Sequence, residues 1–387
     1  MSPLIHRRDF LRQCARCAIA CAAWDVALFL DPRARAESLP MKKGLLGRKL
    51  SPYYTSLGDG VVRCDLCPHQ CEVAPGERGQ CRVRENIEGK YYSLVYGNPC
   101  AVHVDPIEKK PFFHVLPASR SFSIATAGCN FTCKFCQNWE ISQASPDETH
   151  NYDLPPDKVV EYALRTGCES IASTYVEPTI FMEYMLDIGR EAADRGVLKV
   201  MHSCGYVNEK PLADLCRYLD AACIDLKGFT ESYYREMSGG ALQPVLDTLK
   251  RLKAHGIHTE IVNLMVPTKN DDPSDVREMC RWIFKELGPD VPLHFTRFYP
   301  MYRLKSLPPT PVGTLEKARG IALEEGLRYV YVGNVPGHPG ESTVCPFCQK
   351  TVIRRRGYRI ESVELKEGRC RFCGRPVAGL WKSPSRG

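Results

Sequence analysis

The stretch Ala127–Trp139 reads AGCNFTCKFCQNW and sets Cys129, Cys133 and Cys136 in a CxxxCxxC spacing. It follows directly on SFSIAT from Ser121, a β-branched run that reads as a short strand. The thiols therefore lie on the loop leaving the C-terminal end of that strand, where parallel α/β folds place their chemistry. No fourth cysteine stands nearby in the sequence. A closed zinc site or an all-cysteine cubane takes four protein ligands, so three thiolates on such a loop describe a centre with one position left for an exchangeable ligand. An open position is the mark of a catalytic centre.

From Ser121 to Pro300, short β-branched runs alternate with longer helical patterns. Six strand candidates begin at Ser121, Glu169, Val197, Ala221, His258 and Pro292, and patterns such as PDKVVEYALRTG and DPSDVREMCRWIFKELG fill the intervals. Strand and helix in alternation predict a parallel sheet with right-handed crossovers. Glu177, His202, Ser203, Asp225 and Lys227 gather at the C-terminal ends of these strands. The pattern predicts an α/β chain with an incomplete, six-unit β/α barrel over residues 116–336. A seventh strand-like run, RYVYVGN from Arg328, leads out of it.

With 387 residues, 44% of them hydrophobic, the chain has material for one large core and small appendages. The net charge of +7 is a slight excess of 52 basic over 45 acidic residues, which does not demand a nucleic-acid partner. Residues 1–40 read as a leader. HRRDFL from His6 resembles a twin-arginine export signal, followed by an apolar stretch, Ala18 to Leu30, too short to span a bilayer. An amphipathic leader with Cys14, Cys17 and Cys21 along one face fits the same residues.

Twenty cysteines are far more than a chain this long needs for staples, and eleven of them fall into three tight clusters. Metal ligation in a reducing compartment explains them better than disulfides. Cys64, Cys67, Cys71 and Cys81 lie in a loop-rich module spanning residues 41–115, and either zinc or an auxiliary iron–sulfur cluster fits four thiolates so spaced. Cys345, Cys348, Cys370 and Cys373, in residues 337–387, have zinc-ribbon spacing, which serves folding rather than catalysis. The basic run IRRRGYR between them reads as the exposed face of a small hairpin. Of Cys100, Cys168, Cys204, Cys216, Cys223 and Cys280, most read as small packing hydrophobes.

The CxxxCxxC motif with aromatic Phe135 is similar to the signature of the radical S-adenosylmethionine (SAM) superfamily. Together with CDLCPHQC, DPIEKKPFFHVLP, YVEPTIFMEY, IDLKGFTESYYRE and the ribbon, it resembles the AmmeMemoRadiSam system radical enzymes, relatives of pyruvate formate-lyase-activating enzymes. The resemblance implies a partial (β/α)6 radical SAM barrel. It also implies a [4Fe–4S] cluster on Cys129, Cys133 and Cys136, whose free iron holds SAM for reductive cleavage to a 5′-deoxyadenosyl radical that abstracts hydrogen from a substrate. Asp225 and Lys227 would serve catalysis and SAM binding, with Lys227 near the SAM carboxylate, Glu177 at its ammonium, Phe135 beside the adenine and Ser203 in support. Asn263, His294 and Arg297 are candidates for cofactor or substrate contact, or for ordinary polar packing. Family members tend to carry SNG where this chain reads HSCGY, with Cys204 in place of the asparagine.

Partners implied by the same resemblance are a flavodoxin- or ferredoxin-type electron donor and Memo-type and AMMECR-type proteins. Activation of a glycyl-radical enzyme is the alternative. A non-catalytic zinc or iron–sulfur scaffold, or an RNA-binding protein, is the rival from another class. SAM and low-potential electrons argue for the cytoplasm, whereas RRDFL argues for export.

Overall fold

Repeated strand–helix units wind one eight-stranded sheet in the computed structural model, which describes residues 39–382. The leader, with its twin-arginine pattern and its three cysteines, lies outside the described residues. The strands are β1 (Ala101–Pro106), β2 (Arg120–Ala125), β3 (Ser170–Ser173), β4 (Leu198–Ser203), β5 (Ala221–Asp225), β6 (His258–Met265), β7 (Leu293–Arg297) and β8 (Val330–Gly333). They are hydrogen-bonded in chain order, and β2 to β8 are all parallel. Between them run α1 (Pro156–Arg165), α2 (Met182–Glu191), α3 (Glu209–Cys216), α4 (Leu242–Ala254), α5 (Pro273–Trp282) and α6 (Val312–Glu324). Their ends obey local chemistry. Asp272 caps α5 by accepting from the Ser274 N–H at 2.8 Å, and Gly167, at φ +67°, closes α1 in a left-handed conformation that costs glycine little.

Two features depart from the six-unit expectation. The Arg328 run does not leave the sheet: α6 supplies a crossover helix, so β8 returns parallel to β7 with Val330 opposite Leu293. At the other edge β1, from the segment assigned to the cysteine-rich module, pairs antiparallel with β2, Ala101 opposite Ala125. The sheet stays open, as a partial barrel, with β1 and β8 as its edges.

The connection from β1 to β2 fills the lower half of the barrel. Ile107, Phe112, Val115 and Leu116 pack against Ala172, Val200, Ala221, Cys223 and Val262 of the strands. Apolar side chains thus plug the interior below, and a cavity opens at the C-terminal ends of the strands.

The front module is built of short antiparallel strands rather than bare loop. Tyr54–Gly58, Val61–Cys64 and Glu72–Val73 form one sheet, Lys49–Leu50, Lys90–Ser93 and Arg84–Ile87 another, and Met41–Lys43 pairs with His150–Tyr152. Arg84, fully buried, anchors the module to the barrel by a bidentate bond to Glu183 on α2 and a further bond to the Ile180 carbonyl.

In the ribbon, Thr351–Arg356 and Arg359–Val363 form the expected hairpin, but its basic run is not all surface. Strand alternation turns Arg355 inward, where it donates to Thr343 Oγ1 and to the Phe113 carbonyl, both at 2.6 Å, and stacks over the Phe113 ring. His114 joins the same seam, fully buried. Its Nδ1–H donates to the Ala378 carbonyl at 2.5 Å, so Nε2 accepts from the Tyr331 hydroxyl at 2.5 Å.

Burial presses His114 down to about 3. The unfolded chain takes up this proton near the usual value of about 6.5, the folded chain only far below it. Stability therefore falls as pH drops through that window, by up to about 1.4 kcal/mol per unit from this group. Thermal unfolding followed from pH 7 to pH 4 is expected to show this slope, and His114→Gln to flatten it.

Candidate active site

Cys129 is presented by a loop that cannot be built otherwise. Gly128, at φ +85°, lets the chain turn out of β2, and a methyl group there would lie 2.4 Å from the Cys81 carbonyl oxygen and 2.5 Å from Val83. The Phe131 N–H donates to Cys129 Sγ at 3.4 Å, and Cys136 Sγ lies 3.2 Å from Ser142 Oγ. Thr132 and Lys134 N–H groups bond to the Ser238 and Met237 carbonyls, tying the loop to the segment after β5. Cys129, Cys133 and Cys136 all face a cavity of about 960 Å³ at the C-terminal ends of the strands.

Phe135, Glu177, Ser203, Cys204, Asp225 and Lys227 line the same cavity. The Glu177 carboxylate is 0% exposed. One oxygen accepts from the Thr179 N–H at 3.0 Å and Ser203 Oγ at 2.8 Å, the other from the Cys204 N–H at 2.6 Å. Burial pushes its carboxyl up, with these three donors opposing. A carboxylate offers about four acceptor positions, so one is left for a donor in the cavity.

Asp225 and Lys227, two apart, turn to one side as strand geometry requires. Lys227 Nζ donates to Asp225 Oδ2 at 2.9 Å, and His202 Nε2 meets Oδ1 at 2.9 Å. Burial alone would raise the Asp225 carboxyl, but Lys227 and His202 hold it well below the usual carboxylate range. Burial opposes the Lys227 charge, and Asp225 overcomes it, so the ammonium persists to high pH. Its Nζ stands 5.7 Å from the Phe135 ring centroid.

Asn263 is not part of this constellation. On β6 its neighbours Val262 and Leu264 face the cavity, whereas Asn263 points to the opposite side and donates to the Leu226 carbonyl at 2.7 Å. Arg297 likewise turns away, to the Thr310 carbonyl and Tyr299. His294 does line the cavity floor, with Nε2 on Glu260 at 2.8 Å.

Three features go beyond the sequence reading, which named His202 only as a strand-end residue and Cys204 only as a packing thiol and the departure from SNG. Cys204 is no mere packing residue: its thiol donates to Cys129, and this bond, ahead of the opposing burial, lowers the Cys129 thiol. A fourth sulfur, distant in sequence, thus stands at the three-cysteine loop. His202 is bonded to Asp225 as above. Tyr175, held at φ +67°, accepts from Asn138 through its carbonyl at 2.7 Å and directs its hydroxyl to Asp105, which also takes Lys110 at 2.5 Å. The departure from SNG was the one available signal for Cys204.

The four ribbon sulfurs lie within 4.8 Å of one another, a spacing one metal ion could bridge. Among the described residues no other three such ligands gather so closely. The sulfurs of Cys129, Cys133 and Cys136 do not gather within that distance.

The profile of the Radical SAM superfamily matches residues 123–283. An uncharacterized protein of Methanocaldococcus jannaschii is 45% identical over 84% of this chain and 97% of its own length. The chain belongs to the radical SAM superfamily. It is an enzyme of that class, with a [4Fe–4S] cluster and SAM as cofactors. An isethionate sulfite-lyase activating enzyme of Nitratidesulfovibrio vulgaris is 26% identical over 29% of this chain and 37% of its own. A pyruvate formate-lyase-activating enzyme of Listeria monocytogenes is 21% identical over 42% of this chain and 68% of its own. Among solved structures, a radical SAM methyltransferase from Sphaerobacter thermophilus is similar over 58% of this chain and 70% of its own, with 13% identity and a TM-score of 0.45. Among the described residues no helix is long and apolar enough to cross a membrane.

Proposed function

We propose that the chain cleaves SAM reductively at a cluster held by Cys129, Cys133 and Cys136, and turns the product radical on a substrate in the same cavity. The observation that carries this reading is the convergence of three thiols, a buried carboxylate and a buried ammonium on one cavity. When bound, the reduced cluster would supply one electron to the SAM sulfonium, which would part into methionine and a 5′-deoxyadenosyl radical able to abstract hydrogen.

The protein's own work is to bind and orient. Lys227, kept cationic by Asp225, would take the SAM carboxylate, and Glu177, through its remaining acceptor position, the ammonium. Ser203 holds Glu177 in place, and Phe135 offers the adenine an apolar face. His202 fixes the far oxygen of Asp225, leaving the other for Lys227. The ribbon would hold structural zinc, and its hairpin tip at Tyr358 borders the cavity mouth.

A volume near 960 Å³ is at the upper end for a small-molecule pocket, with room for SAM beside a second reactant. The substrate is a molecule or protein handled with Memo-type and AMMECR-type partners. Electrons come from a flavodoxin- or ferredoxin-type donor, and the site of action is the cytoplasm, where both SAM and such donors are found. Glycyl-radical activation is the second reading, favoured by the likeness to two activating enzymes.

The test is anaerobic reconstitution with SAM, dithionite and the candidate partners. Production of 5′-deoxyadenosine with a mass change on a substrate other than a glycine backbone is expected. A glycyl-radical EPR doublet on a partner would establish the second reading instead, and absence of 5′-deoxyadenosine under all conditions would overturn both.

A further inference from the structure

We propose that Cys64, Cys67, Cys71 and Cys81 hold a second iron–sulfur cluster that relays the electron to the cluster at Cys129, Cys133 and Cys136 through contacts made by His69 and Cys81. The proposal rests on the SAM-cleaving reading of the three-cysteine loop.

The four thiols are brought together by tight turns. The Cys64 N–H donates to the Cys71 carbonyl at 2.9 Å, and the Gln70 N–H to the Cys67 carbonyl at 3.1 Å. Their sulfurs do not gather within the 4.8 Å of the ribbon set, although their spacing is no less suited to a metal. In this they share the spread of Cys129, Cys133 and Cys136 and differ from the ribbon. A single ion needs its ligands close, whereas a multi-iron cluster keeps them apart.

A buried hydroxyl whose one neighbour of its kind is sulfur marks the same spot. The Tyr91 hydroxyl, on a residue 0% exposed, meets no oxygen or nitrogen partner and is directed at the Cys64 thiol. Such a group is costly unless something satisfies it, and sulfide or thiolate of a bound cluster would. Gly79 keeps the space clear: a methyl group there would stand 2.7 Å from the Tyr91 hydroxyl and 3.8 Å from Cys71 Sγ.

Position supplies the function. His69, between Cys67 and Cys71, donates from Nε2 to the Asn130 carbonyl at 2.7 Å. Cys81 sets its carbonyl oxygen where Gly128 leaves room for it. The residues immediately before and after Cys129 are therefore both touched by the loops that carry the front thiols.

The redox step balances. A low-potential one-electron donor protein of the flavodoxin or ferredoxin class is oxidised by one electron, the front cluster accepts and passes it on, and the SAM sulfonium is the final acceptor. The front cluster ends in its starting oxidation state.

Two measurements on the full chain test this. In Cys129→Ala/Cys133→Ala/Cys136→Ala, about four iron and four sulfide per chain should remain, with an EPR signal on reduction. Zinc in the front module, or loss of all iron, would overturn the proposal. In Cys67→Ser/Cys71→Ser, the ratio of the flavodoxin-driven to the dithionite-driven rate of 5′-deoxyadenosine formation should fall at least about tenfold, since the small reductant bypasses the relay. An unchanged ratio would overturn it. His69→Ala, which removes no thiol, should lower the same ratio with both clusters intact, and an unaltered ratio there refutes the route through Asn130. Wild-type chain that makes no 5′-deoxyadenosine even with dithionite would instead refute the underlying SAM-cleaving reading.

Discussion

Cys129→Ala is expected to bring 5′-deoxyadenosine formation down to the background of protein-free controls, a loss of at least about a thousandfold. Three thiolates are the least that hold a cubane with one iron free, and alanine removes the one ligand bonded both to the Phe131 N–H and to the Cys204 thiol. Cys204 tests whether the loss is specific. It lies beside Cys129 but comes from β4's end, so Cys204→Ala should retain the cluster's iron and the visible absorption that Cys129→Ala loses. Iron analysis and optical spectra of the two reconstituted variants check this. Equal iron in wild type and Cys129→Ala would mean that another sulfur has taken the vacated corner.

Asp225→Asn should both destabilise the fold and weaken SAM binding. Removing one partner of a fully buried ion pair costs about 3–5 kcal/mol, because the remaining charge is left without compensation. Lys227 is 8% exposed, but about a quarter of the Asp225 side chain, 24%, reaches solvent, so a loss of about 2 kcal/mol is the expected figure here. Chemical denaturation of the reconstituted protein measures it. In Asp225→Asn/Lys227→Met the lone charge is gone too, and most of the stability should return, while SAM affinity stays at least about tenfold below wild type. Recovery of affinity in the double variant would remove Lys227 from SAM recognition.

The sequence disclosed what local chemistry encodes. Three cysteines on a strand-end loop, CxxC pairs around a hairpin, and β-branched runs between amphipathic helices each carry their signal within a dozen residues. Pairing across distance was not legible. Ala101–Pro106 sits among cysteine-rich turns, and only its register against β2 makes it part of the sheet. The Arg328 run needed α6 behind it to be recognised as a seventh parallel strand. Side-chain facing was uncertain by one residue: Asn263 sits between two cavity-lining neighbours and points the other way. Arg355, in a run of three arginines, gives no local hint that it alone is buried. Cys204 and Cys129 are brought together only by the barrel.

The seam at His114 has a bearing on biosynthesis. Leu380 bonds to both Leu116 and His114 and packs on the apolar plug beneath the barrel, so the plug is finished by one of the last described residues. A nascent chain emerging from the ribosome can assemble its sheet well before that side chain exists. Until then the apolar plug beneath the barrel lacks the contact that Leu380 makes with it, so the ribbon and the barrel floor are completed together.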